Sequence, residues 1–214
     1  AHGVSQAIRK QTSEITNIIY DATCPLVTKV HKEVNRRQKQ NHQVILIGHA
    51  GHPEVEGTLG QSNESNHINL IESINDVEGL ELSEDLDISY TTQTTLSVDD
   101  TKLIVNSLKT KFPKIQEPKK SDICYETQNR QDSVKVMITN SEVLLVIGSK
   151  NSSNSNRLKE IAEKSGKPAY LIDGSADIKN EWLSGIDSIG VTAGASAPEI
   201  LVQAVVSYLM MNGG

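Results

Sequence analysis

The two cysteines of the chain occupy equivalent places in two similar stretches of sequence. Cys24 and Cys124 each precede a helix-like run, and each lies 24 positions before a glycine, Gly48 or Gly148, that closes an apolar strand. The N-terminal end of a helix favours the thiolate form that metals bind. A lone cysteine is usually a small buried apolar residue, but two in matching positions of a repeat favour a soft metal shared between repeats.

The loop after the first of these strands concentrates imidazole and carboxyl groups. Two histidines and two glutamates lie within residues 49–56, His52 and Glu54 among them. Such groups can bind a metal, or an acid can donate a proton beside an imidazole, whereas the plain alternative is a pair of surface histidines. Gly51 and Pro53 are expected to exclude a helix from this loop.

A run of serine and asparagine follows the second strand, at residues 149–156, and leads into a helix predicted to begin near Arg157. Small hydroxyl and amide groups beside the free N–H groups of a helix start can bind an anion. Ser152, Ser153 and Asn154 are therefore candidate phosphate ligands. An ordinary polar loop with a capping side chain is the alternative.

Corresponding polar loops also follow two later strands. Thr95 lies in one and Ser196 in the other, and His2 occupies the matching loop at the start of the chain. Threonine is common in strands, so Thr95 alone carries little information. Its correspondence with Ser196 makes both residues candidates for the same site.

The order of elements predicts an α/β protein. Helix-like runs, such as residues 6–20 and 26–40, alternate with strands that are continuously apolar, as buried parallel strands are. The strands are predicted at residues 44–47, 68–71, 87–90, 144–147, 169–172 and 188–192. Ligands of such sheets bind at the carboxyl ends of the strands, where all the candidate loops lie.

The repeat divides the chain into three parts. Residues 24–120 and 121–214 are predicted to be two full α/β units, and residues 1–23 resemble only the end of a third. The chain is therefore expected to open partway through a repeat. By symmetry, the absent part should carry a third cysteine.

Composition excludes several classes of function. A formal net charge of −6 with scattered basic residues argues against nucleic acid as a partner. No apolar run approaches the roughly 18 residues of a membrane span. Two cysteines in a reducing compartment are usually free thiols or metal ligands, and a cytoplasmic location is expected.

Several segments of the chain, in the same order, resemble the LytB family of reductases. The resemblance spans essentially the whole chain, and the segments that carry it are residues 21–27, 48–55, 90–95, 122–125, 127–131, 148–157 and 190–199.

The resemblance implies a pseudo-threefold arrangement of parallel-sheet α/β units around a central [4Fe–4S] cluster, with the first unit incomplete here. Cys24 and Cys124 would each supply one ligand. The third cysteine would come from the segment that the family carries before Ala1, and the family also carries a tail beyond Gly214.

The reaction implied by the resemblance is the last step of the non-mevalonate isoprenoid route. Two electrons and two protons remove water from (E)-4-hydroxy-3-methylbut-2-enyl diphosphate and give isopentenyl and dimethylallyl diphosphates. A protein such as ferredoxin or flavodoxin would donate the electrons. Glu54 would deliver protons, with Thr95 in the relay. The implied diphosphate ligands are His2, His52, Ser152, Asn154 and Ser196, with Ser153 close by.

Two other interpretations remain open. A cofactor-free α/β module could bind phosphorylated small molecules through the serine and asparagine run while both cysteines stay inert. The chain could also be an inactive fragment of the reductase.

Overall fold

The computed structural model describes residues 2–62, 68–82, 85 and 87–212. Two units can be distinguished, Ala1–Cys124 and Tyr125–Gly214. The first extends four residues past the predicted boundary, because the N–H of Cys124 donates to the carbonyl of Thr94 at 2.9 Å. Residues near the N-terminus belong to this unit, where Gln6 N–H bonds to Gly60 O at 3.0 Å. The division of the family's fold into three repeats stays a prediction.

The first unit contains a three-stranded parallel sheet in the order β2-β1-β3. Its strands are β1 (Gln43–Ile47), β2 (Ile68–Ile71) and β3 (Ile88–Thr92). Its helices are α1 (Gln6–Ile15), α2 (Pro25–Lys39), α3 (Pro53–Leu59), α4 (Ile74–Gly79) and α5 (Val98–Lys111).

The second unit repeats this topology, with strand order β5-β4-β6. Its strands are β4 (Val143–Ile147), β5 (Ala169–Ile172) and β6 (Ile189–Ala193). Its helices are α6 (Tyr125–Met137), α7 (Ser153–Lys164) and α8 (Glu199–Met211), with two short 3-10 turns at Ser175–Asp177 and Asn180–Trp182.

The central strands β1 and β4 form the middle of each core. Four of the five residues of β1 and all five of β4 are buried. Their Val, Ile and Leu side chains are buried on both faces of the sheet, and the burial of each contributes roughly 1.5–3 kcal/mol to the stability of the fold. All six predicted strands are present within two residues, and the predicted α/β class with parallel sheets is confirmed.

Two predicted helix boundaries and one predicted absence of a helix were wrong. Helix α1 ends at Ile15 rather than near residue 20, because Thr16 takes an extended conformation. Helix α7 begins at Ser153 rather than near Arg157, so half of the polar run is helical. The loop after β1 was expected to exclude a helix, yet α3 begins at Pro53, whose missing N–H costs nothing in a first turn.

Across the part of the chain that the structure describes, every helix is too short or too polar to cross a membrane.

Candidate active site

The turn between β1 and α3 buries an acidic side chain. Gly51, with φ +76°, reverses the chain before the helix. His52 then caps α3, its Nδ1 accepting the backbone N–H of Glu54 at 3.2 Å. Pro53 sets the first helical turn, which places Glu54 on the inner face with only 2% of its surface exposed.

Thr94 holds both oxygens of the Glu54 carboxyl group. Its backbone N–H donates to Oε1 at 2.6 Å and its hydroxyl donates to Oε2 at 2.8 Å. Burial raises the pKa of Glu54, the two hydrogen bonds from Thr94 lower it in part, and the negative charge of Asp122 raises it further. The net raised pKa favours the protonated form, which is the state that a general acid needs.

The sequence pointed to Thr95, one residue away from the threonine that contacts Glu54. The hydroxyl of Thr95 accepts Gln93 Nε2–H at 3.0 Å, while Gln93 Oε1 accepts the N–H of His49 at 3.0 Å. The strand end reads Thr-Thr-Gln-Thr-Thr, so only the pairing of β3 with β1 decides which hydroxyl meets the acid. A role for Thr95 in proton transfer stays a prediction.

Two of the predicted histidines lie together. The rings of His2 and His52 meet edge to face, with centroids 5.2 Å apart. Burial lowers the pKa of both rings, and for His52 the positive charges of His2 and His49 lower it further. Because Nδ1 of His52 accepts a hydrogen bond, its neutral ring carries the proton on Nε2. His52 is therefore arranged as a neutral N–H donor.

Both cysteines are free, half-buried and placed at the starts of helices. Cys24 is the N-cap of α2, and Cys124 directly precedes α6. Thiolates are the usual ligands of iron–sulfur clusters, so this pair fits part of such a ligand set. Within the described ranges, no three His, Cys, Asp or Glu side chains are grouped to hold a metal ion by themselves.

The start of α7 combines a cap with a buried amide. The hydroxyl of Ser152 caps the helix by accepting Ser155 N–H at 3.3 Å. Asn154, 7% exposed, has neither its Oδ1 nor its Nδ2 hydrogen-bonded to any described residue. An unpaired buried polar group costs about 1–3 kcal/mol, so the site has unused capacity to bind a polar ligand. Ser153 lies half-buried in the same turn.

Ser155, which the sequence did not single out, fixes the position of this turn. Its Oγ donates to Ser152 Oγ at 2.9 Å. A Cβ at Gly148 would lie 2.2 Å from that Oγ, and a Cβ at Gly194 would lie 2.1 Å from it. The two glycines thus let the start of α7 approach the ends of β4 and β6. The exposed Ser196 follows Gly194 by two residues and belongs to the same edge of the second unit.

These features define a class of protein. A buried carboxyl group and a polar helix start, each at the carboxyl ends of parallel strands, are typical of α/β enzymes that act on charged small molecules.

The chain belongs to the LytB family, because the family model described as "LytB protein" matches residues 1–210. This confirms the family predicted from the sequence, and membership implies an iron–sulfur cofactor. The 4-hydroxy-3-methylbut-2-enyl diphosphate reductase of Vesicomyosocius okutanii is 68% identical over 213 residues, covering 100% of this chain and 69% of that protein. The protein of the same name from Pseudomonas aeruginosa is 56% identical, covering 98% of this chain and 67% of that protein.

Solved structures agree. The E-1-hydroxy-2-methyl-but-2-enyl-4-diphosphate reductase of Plasmodium falciparum matches with a TM-score of 0.94 at 38% identity, over 98% of this chain and 65% of that one. A second reductase structure, described as the terminal enzyme of the non-mevalonate pathway, matches with a TM-score of 0.62 at 29% identity, over 98% of this chain and 74% of that one. The chain thus spans about two thirds of the length of these proteins.

Proposed function

We propose that this chain carries out the reductive dehydroxylation of (E)-4-hydroxy-3-methylbut-2-enyl diphosphate, giving isopentenyl and dimethylallyl diphosphates. The observation that carries the proposal is the buried Glu54 carboxyl group with its raised pKa, held by Thr94 at 2.6 and 2.8 Å. The names of the relatives support the substrate and the reaction.

Glu54 is the proposed proton donor to the departing hydroxyl group. Hydroxide is a poor leaving group, so cleavage of the C–O bond needs a proton at that oxygen. The raised pKa favours a proton on Glu54 before the reaction. Once the proton has left, the N–H and hydroxyl of Thr94 stabilise the carboxylate that remains. The predicted part of Thr95 in this relay would run through its hydrogen bond with Gln93.

Cys24 and Cys124 are two of the three proposed cysteine ligands of a [4Fe–4S] cluster, and the third is the cysteine predicted from the family resemblance. When bound, such a cluster would supply electrons for the reduction. Their free thiols, partial exposure and helix-start positions support this assignment. The proposed source of those electrons is a cytoplasmic electron-donor protein such as ferredoxin or flavodoxin.

Neutral donors from both units are proposed to bind the diphosphate. In the first unit, His52 offers Nε2–H and His2 lies beside it. In the second unit, the proposed ligands are at the start of α7 and in the loop after β6. They are Ser152, Asn154 and Ser196, with Ser153 close by. The strongest support for this part is the buried amide of Asn154, which has no hydrogen bond to any residue that the structure describes.

A cofactor-free phosphate-binding module is the second candidate, because the α7 site needs no metal. Anaerobic purification and reconstitution with iron and sulfide separates the two, and it is carried out on the protein at the full length of its LytB relatives so that all three predicted cysteine ligands are present. The proposed function predicts a brown protein with iron–sulfur absorbance that converts the substrate to both products with a low-potential reductant. A colourless protein that binds diphosphate, even after reconstitution, would favour the second candidate. A cluster-bearing protein without turnover would contradict the proposed reaction.

A further inference from the structure

Asp122 is a fully buried carboxylate to which the proposed reaction assigns no direct role. None of its side chain is exposed. Its Oδ2 accepts the hydroxyl of Thr91 at 2.7 Å and the N–H of Thr92 at 3.2 Å, both at the end of β3. Its Oδ1 accepts from the ammonium of Lys29 at 2.6 Å. A buried charge with this many partners is a built feature, since it needs each of them to offset the loss of water.

The ammonium group of Lys29 has three N–H donors, and the site around Asp122 offers it three acceptors. Besides Asp122, its Nζ donates to the carbonyls of Lys120 at 2.8 Å and Ser121 at 3.4 Å. An ammonium group can point its three donors at separate acceptors, whereas a guanidinium presents a flat fork. Lys29 lies in the helix α2 that Cys24 caps. It therefore ties that helix to the chain just before Cys124.

The Lys29–Asp122 ion pair is connected to Glu54, the proposed acid, through Cys124 and Thr94. Asp122 is two residues from Cys124, whose N–H donates to the carbonyl of Thr94 at 2.9 Å. Thr94 in turn holds Glu54 through its own N–H and hydroxyl. One ion pair thus lies where α2, the end of β3 and the segment carrying Cys124 meet.

We propose that the Lys29–Asp122 ion pair is a positioning device that fixes Cys124 and Thr94 against the helix begun by Cys24. The functional meaning rests on the proposed function, in which both cysteines hold the cluster and Glu54 gives the proton. The geometric part is independent of it. Neither Lys29 nor Asp122 is a catalytic residue in this account.

Hydrogen exchange in the cluster-free chain tests the geometric part directly. Lys29→Met should speed exchange of the Cys124 and Thr94 amides about 10- to 100-fold. This is the change expected from the loss of one charge-assisted hydrogen bond. The amide of Gly48, which bonds to Ile71 O at 3.0 Å elsewhere in the sheet, should change far less. Lys32→Met is the matched control, because Lys32 is an exposed residue of the same helix.

A second variant separates position from charge. Lys29→Arg keeps the charge but not the three-way geometry, so the same two amides should lose protection. Alkylation of the native chain should also become faster at Cys124 than at Cys24. If Lys29→Met does not fold, Lys29→Arg alone decides the matter.

Equal acceleration at Gly48, Cys124 and Thr94 would show that the pair only stabilises the unit as a whole, and would overturn the proposal. Protection unchanged in both Lys29 variants would overturn it as well. A positive exchange result with an inactive reconstituted protein would leave the positioning intact and reject the reductase function instead.

Discussion

The two units bury a polar residue at the same place and use it in opposite ways. Glu54 and Asn154 each follow the helix cap by two residues, after His52 in the first unit and Ser152 in the second. Both side chains are almost fully buried. Glu54 has a hydrogen bond to each oxygen, whereas the amide of Asn154 has none within the described chain.

Two substitutions between the repeats contribute to the difference, the buried residue itself and the residue that faces it from the strand end. Gln93 and Gly194 each donate their N–H to the last carbonyl of the central strand, at 2.8 Å in both units. The next residues therefore correspond, and they are Thr94 in the first unit and Ala195 in the second. Alanine has no hydroxyl to offer. The first unit thus satisfies its buried group internally, while the second leaves its buried amide without a hydrogen bond from any described residue.

The largest expected effect comes from removing the acid. Glu54→Gln keeps the volume of the side chain but removes its proton, so turnover should fall about 10²- to 10⁴-fold while substrate binding persists. Glu56→Gln is the matched control, because Glu56 is an exposed residue of the same short helix. Steady-state kinetics on the reconstituted protein provides the measurement. Equal turnover by Glu54→Gln and the parent would place the proton source elsewhere.

Substitution of Asn154 should raise the stability of the fold and lower its affinity for the diphosphate. Asn154→Leu replaces an unpaired buried amide with an apolar group of similar size, so the free energy of unfolding should rise by about 1–3 kcal/mol. Affinity for isopentenyl diphosphate should fall roughly 10- to 100-fold. Chemical denaturation and calorimetry measure the two quantities. A variant that loses stability would show that the amide has a partner, and the contrast with Glu54 would disappear.

Thr94→Val makes the first unit resemble the second and should reduce turnover less than Glu54→Gln does, because Glu54 keeps its proton. The variant keeps the backbone N–H but removes the hydroxyl. The hydrogen bond from that hydroxyl stabilises the ionised form of Glu54 by about 1.5–3 kcal/mol. The pKa of Glu54 should therefore rise further, and turnover should fall because the product carboxylate is less stable. Thr94→Ser should restore both. Turnover that depends on Thr95→Val instead would favour the threonine predicted from sequence.

The sequence was sufficient for the parts of this comparison that depend on local pattern. Continuous apolar runs predicted β1 and β4, and the equal spacing from Cys24 and Cys124 predicted the repeat. It was not sufficient for contacts that depend on how strands align. The pairing of β3 with β1 selects Thr94 over Thr95, and nothing in a run of threonines shows that choice.

Two further features were missed for related reasons. The sequence does not predict the helix at Pro53, because proline breaks a helix interior although it is well suited to a first turn. It also does not predict the buried contacts of Asp122, because the partners of Asp122, Lys29 and Thr91, lie 93 and 31 residues away along the chain. Buried polar networks of this kind are made by tertiary packing and leave little local signal.

The state of Glu54 is the point on which the whole account depends, and a carboxyl ¹³C NMR titration of the folded chain measures it directly. We expect Glu54 to titrate above its ordinary pKa of 4.5. The contribution of Glu54 to the free energy of unfolding should then be complete below its ordinary pKa and be lost as the pH rises through its pKa in the folded chain. This pH dependence should be absent in Glu54→Gln. A resonance assigned by its absence in Glu54→Gln that titrates at or below 4.5 would mean that Glu54 is already ionised near neutral pH, and would contradict its role as the proton donor.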